Sequence, residues 1–206
     1  MRLKYLALLA LLTGCSSQEV ASDRTISNAV ENYLDQEGGA LCLNLQQWPL
    51  DLDREDLRLV ERFPHGIASK MKTLQQIGLV SSQDVKLDGV DFSGQPNVGK
   101  RYQLTKLGEK YVLEKPISPE DKTIKSDLCF AHKTLDKLVK WEPETNTTLV
   151  VNAHYTYQVK DVAGWAKSAE FKTVFSDEAA ATFSPQPEQQ RVVKSDGEWQ
   201  VQSGSV

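Results

Sequence analysis

The chain has 206 residues, with 24 basic against 28 acidic side chains for a formal net charge of −4, and 40% of its residues are hydrophobic. This length suits one large domain or two small ones, and the acidic balance argues against nucleic acid as a general partner. With no Cys-x-x-Cys and three histidines far apart at 65, 132 and 154, redox and metal chemistry have no visible constellation to work with.

Arg2 and Lys4 precede an apolar stretch, Tyr5 to Leu12, that ends in small residues before Cys15. This is a secretory signal layout, and the run is too short for the roughly 20 residues that a membrane-spanning helix requires. The ending Leu12-Thr13-Gly14-Cys15 resembles the lipobox of bacterial lipoproteins. The resemblance covers only the first 15 residues. It implies removal of residues 1–14 as a signal peptide, diacylation of Cys15 and acylation of the new N-terminus with palmitate-type chains. Ser16, in place of an aspartate, resembles the pattern of lipoproteins sorted to the outer membrane and facing the periplasm. Loss of Arg2 and Lys4 leaves 22 basic against 28 acidic residues in the mature chain, a net charge of −6.

Residues 15–24 are small and polar, and read as a flexible tether. Thr25 is placed to cap a helix carrying Ile26, Val30, Tyr33 and Leu34 on one face, stopped by Gly38-Gly39. Residues 40–45 read as a strand that Trp48-Pro49 ends. Leu57, Val60 and Phe63 sit at helical spacing among charges, and Ile67, Met71, Leu74 and Ile77 mark an amphipathic helix closed by Gly78. Strands are expected from Leu79 and over Lys100–Leu104, around a Gly- and Asp-rich loop at 86–99, and Thr105 is placed to cap a helix from Lys106 to Leu113.

The sequence from that amphipathic helix through Gly99-Lys-Arg-Tyr-Gln-Leu-Thr-Lys-Leu-Gly108 resembles a winged helix over residues 65–113, within a domain spanning 25–114. The resemblance implies a β-hairpin wing, and in DNA-binding members a helix that reads a groove. Lys70, Lys72, Lys100 and Arg101 would then face phosphate, since only 65–113 is locally basic, with seven bases and four acids.

Residues 115–122 form a polar linker with Pro116 and Pro119. The period then becomes two: Leu149, Val151, Ala153, Tyr155, Tyr157 and Val159 alternate with polar residues, and Asp196-Gly197 signals a hairpin, so 123–206 reads as a small antiparallel α+β domain. The whole is therefore expected to be α+β, a winged-helix-like domain followed by an antiparallel-sheet domain.

With Cys15 taken by lipid, Cys42 and Cys129 are an even pair in an oxidising compartment. Their bridge would close a loop worth about 4–5 kcal/mol on the chain-entropy estimate, the alternative being two buried free thiols. Asp51-x-Asp53-x-Glu55-Asp56 alternates like calcium ligands but lacks the glycine and terminal glutamate of an EF-hand, and reads better as an acidic helix start. No nucleophile elbow, zinc-protease motif or phosphate-binding loop is present, so no catalytic residues, metal or cofactor are assigned. Trp48 and Trp165 are the candidate binding anchors, with core positions as their alternative.

The expected function is that of a non-enzymatic interaction or accessory module, anchored through Cys15 to the periplasmic face of the outer membrane. Its partner would be an envelope protein and not nucleic acid. The alternatives are an envelope enzyme with dispersed catalytic residues, and a winged-helix DNA regulator if the signal is not processed.

Overall fold

A computed structural model describes residues 20–45, 47–91, 93–116, 124–145 and 147–202. The expected signal peptide 1–14, the expected acylation site Cys15 and most of the expected linker 115–122 lie outside the described residues.

One strand organises the molecule. β6 (Ile124–Pro143) runs for 20 residues, and two hydrophobic cores lie along it, one at each end. Its first half pairs antiparallel with β5 (Val112–Pro116) and with β1 (Ala40–Cys42). Its second half pairs with β7 (Val150–Lys160), which continues the sheet to β8 (Glu188–Ser195) and β9 (Glu198–Val201). The register shifts at Asp136 and Val139 let so long a strand bend without losing its partner.

At the Pro143 end, β7 alternates as its sequence dictates: Val151, Ala153, Tyr155 and Tyr157 are buried. The helix α1 (Asp23–Tyr33) covers them with Ile26, Ala29 and Val30, and Leu34 follows in the same core. Burying each large apolar side chain is worth about 1.5–3 kcal/mol. This helix begins before Thr25. Ser22 is the N-cap, and a reciprocal capping box joins the Ser22 hydroxyl to the Thr25 N–H at 3.2 Å and the Thr25 hydroxyl to the Ser22 N–H at 2.9 Å. The expected tether is therefore shorter, because Thr25 also donates to the Val20 carbonyl at 3.2 Å and holds it against the fold.

At the other end, β2 (Leu50–Asp53), β3 (Val80–Val90) and β4 (Pro96–Leu104) form a second antiparallel sheet in the order β2-β4-β3. Gly99 permits the close approach of β2, since a Cβ there would lie 2.1 Å from the Leu52 carbonyl oxygen. The short α2 (Arg54–Arg58) and α3 (Ile67–Gln76) precede the β3–β4 hairpin. α3 ends as expected at Gly78, whose φ of +82° supports a Schellman turn with Leu79 N–H donating to the Leu74 carbonyl at 2.9 Å and Gly78 N–H to Gln75 at 3.1 Å. Met71, Leu74, Leu79 and Tyr102 pack with Leu128 and Phe130 of β6 and with Phe171 and Phe175 from α4 (Ala169–Val174) and the residue after it. A further helix, α5 (Ser176–Phe183), follows.

The α+β class is thus present, with antiparallel sheets as its main component. The hairpin loop is shorter than expected because β3 and β4 extend to Val90 and Pro96. The helix expected over Lys106–Leu113 does not form: Gly108–Tyr111 makes one 3-10 turn and Val112 enters β5. Thr105 caps only that turn, accepting from Gly108 N–H at 3.1 Å, and the β-branched Val112 completes a ladder with Leu128.

Cys42 and Cys129 face each other across β1 and β6 and are joined by a disulfide. Beside it, Asp127 turns the chain out of β1: its carboxylate accepts from the backbone N–H of Asn44 at 2.9 Å and of Leu45 at 3.0 Å. Asn44, at φ 59°, supplies the left-handed residue of that turn.

Candidate functional site

Between α2 and α3 the chain places Leu59, Phe63 and Ile67 together on the surface, at 40%, 49% and 36% exposure. They border a shallow, almost wholly apolar concavity of about 230 Å³ with Gly66 and Ala68. The segment that carries them is fixed and not merely exposed. Phe63 N–H donates to the Leu59 carbonyl at 2.8 Å, and the buried Ser69 hydroxyl donates to Val60 at 3.1 Å and Phe63 at 3.0 Å. His65 Nδ1 donates to the Val174 carbonyl at 3.2 Å, tying the same segment to α4. A pre-formed apolar patch keeps its ordering cost low when it binds, which is what a protein-docking surface requires. The sequence pattern places Phe63 at helical spacing with Leu57 and Val60, and Ile67 on the apolar face of α3 with Met71 and Leu74; Ile67, in the first turn, is exposed where those two are buried. Leu57 and Val60 pack inward, whereas Leu59 and Phe63, in the turns between the two helices, face out.

The basic residues of the expected winged helix are mostly engaged. Lys70 pairs with Glu178 at 3.1 Å above the Phe175 ring, Lys100 with Asp84 at 3.0 Å, and Arg101 with Asp51 through two bonds of 2.7 Å. The guanidinium beside Asp51 holds that carboxyl below its ordinary value. Lys72 is exposed and lines a groove of about 510 Å³ between α3 and α4. The acids read as calcium-like have other roles: Asp53 caps α2, accepting from Asp56 N–H at 2.9 Å, and Asp56 accepts from Asp53 N–H at 3.3 Å.

Trp48 and Trp165 are both half-buried against the larger core, and neither indole N–H has a hydrogen-bond partner among the described residues. Trp165 meets Tyr111, Phe130 and Phe171 edge-on, with ring centroids 5.5, 6.0 and 5.4 Å apart. His132 and His154 do not meet: His132 lies opposite Lys160, six residues along β7 from His154, which lies opposite Lys140.

One enclosed polar cluster lies on the inner face of the larger sheet. Glu188 accepts from Lys133 and, at 2.9 Å, from the Tyr155 hydroxyl, while Lys133 stands 4.7 Å above the Tyr157 ring. Burial, and after it the Glu188 charge, push the Tyr155 hydroxyl far above its ordinary value, so it remains a phenol that donates and is no general base. No family model, curated protein or solved structure matches the chain.

Proposed function

We propose that the protein is a lipid-anchored accessory module of the bacterial envelope, held to the outer membrane through Cys15 and facing the periplasm, where it binds a protein partner and catalyses nothing itself. The observation that carries this reading is the fixed apolar patch of Leu59, Phe63 and Ile67, in a chain whose first 15 residues resemble a lipoprotein signal. From Phe130 to Pro143, β6 covers 14 residues, at most roughly 40 Å at about 3.3 Å per step. The patch therefore belongs to the end of the molecule remote from the anchor, where a partner in the periplasm would meet it.

The sheet order β2-β4-β3, with α3 entering the β3–β4 hairpin, supports reading this distal lobe as winged-helix-like, with Asp91 and Gln95 at the tip of the wing. The ion pairs of Lys70, Lys100 and Arg101 support a protein partner over DNA, because their charges are already neutralised.

The test is crosslinking from a photoreactive residue placed at Phe63 in living cells. A discrete adduct at Phe63, lost on Leu59→Ser and absent from the same probe at Ile124, is expected. Adducts no different from those at Ile124 would sink the docking surface. Intact mass of the membrane-extracted protein tests the anchor separately: a chain beginning at an acylated Cys15 is expected, and an unprocessed chain beginning at Met1 would sink it.

A further inference from the structure

The apolar face of β7 overruns its cover. Leu149 is in phase with the buried Val151, Ala153 and Tyr155, yet α1 begins only at Asp23 and does not reach it, so Leu149 remains 54% exposed. With Trp141, Pro143 and Trp199 it lines an apolar groove of about 370 Å³, edged by Lys194, that the chain enters at Val20 and Ala21. Hydrogen bonds brace the groove. Trp141 Nε1 donates to Asp23 at 2.8 Å, Lys194 N–H donates to the Leu149 carbonyl at 2.8 Å, and the Thr25 hydroxyl holds the Val20 carbonyl.

Val20 is five residues on from Cys15 in the sequence, with four residues between them. Even fully extended these five steps reach about 18 Å, and a headgroup layer occupies about 5–7 Å of that. We infer that this end of the sheet, with Leu149 and Val20 foremost, rests on the lipid surface and fixes the orientation of the body on the membrane. This inference rests on the acylation of Cys15. The residues match what a bilayer interface favours: a tryptophan with one polar contact, exposed aliphatic side chains, and a lysine at the rim whose stem can lie along apolar surface while its charge stays in water. A short tether raises the local concentration of bilayer at the groove, so a small apolar area is enough to set the orientation.

The experiment places an environment-sensitive fluorophore at Leu149→Cys or, as a control at the opposite end, at Val90→Cys. The full-length acylated protein, with its native disulfide intact, is reconstituted in vesicles of phosphatidylethanolamine and phosphatidylglycerol. Nitroxide lipids labelled near the headgroup should quench the Leu149 probe several-fold more than the Val90 probe.

Equal quenching of the two probes in protein that still cosediments would overturn the inference and leave the anchor standing. Protein that neither carries acyl mass nor cosediments would overturn both. Shielding of the Leu149 probe in detergent as protein concentration rises would assign the groove to a second copy and overturn the membrane contact.

Discussion

Asp127 is where two opposing effects on a single carboxyl can be weighed by experiment. Burial favours its neutral form and is the larger effect; the N–H groups of Leu45, Asn44, Leu128 and Leu43 favour the carboxylate, and the net result is a pKa above the ordinary value. The folded protein then binds this proton more readily than the unfolded chain. Stability from this group is fully present below the unfolded pKa and declines as pH rises through the folded one. Asp127→Asn cannot titrate, so its destabilisation relative to the parent should be larger near pH 3 than at pH 7.

Asp127→Ala removes both acceptors. The Asn44 N–H is exposed and regains water, but Leu45 is buried, and orphaning its N–H should cost about 1–3 kcal/mol. Urea unfolding of parent and both variants, followed by circular dichroism from pH 3 to pH 7, gives all three curves. A penalty for Asp127→Asn that grows with pH would refute the reasoning, since it would mean that the hydrogen bonds outweigh burial and that the folded pKa is depressed.

Replacing Cys42 and Cys129 together by serine should lower stability by about 4–5 kcal/mol, since the bridge spans a sequence separation of 87 residues; a loss under about 1 kcal/mol in urea would refute the chain-entropy account. Tyr155→Phe removes the 2.9 Å hydrogen bond to Glu188 and should cost about 1.5–3 kcal/mol at pH 7, read from the urea midpoint, with Lys133 left as the remaining partner. Gly78→Ala should cost about 1–2 kcal/mol through the left-handed backbone alone, because no atom lies within 4 Å of the added Cβ. Gly164→Ala, equally open but without a positive φ, is the control, and equal melting temperatures for the two variants would contradict the strain argument.

The elements most legible in the sequence were those whose pattern is local. The alternation of β7, the hairpin at Asp196-Gly197 with φ of 53° and 91°, and α3 with its Gly78 stop all follow from spacing and backbone freedom within a dozen residues. The disulfide was legible by elimination, once Cys15 was assigned to lipid. The candidate docking surface was not, because Leu59, Phe63 and Ile67 are apolar like any core residue. Only the packing of Leu57 and Val60 on the inside turns the other three outward.

Composition and pattern alone determined the α+β class and the periods of the principal strand and helices, because each depends on residues close together in the chain. Tertiary structure decided which sheet each segment joined. α1 and β1, early in the chain, pack on and pair with strands from β6 onward, which begin at residue 124. It also decided where apolar faces outrun their cover, at Leu149 and at Phe63. Coverage depends on where a distant helix ends or turns, and hydrophobic periodicity carries no information about that distance.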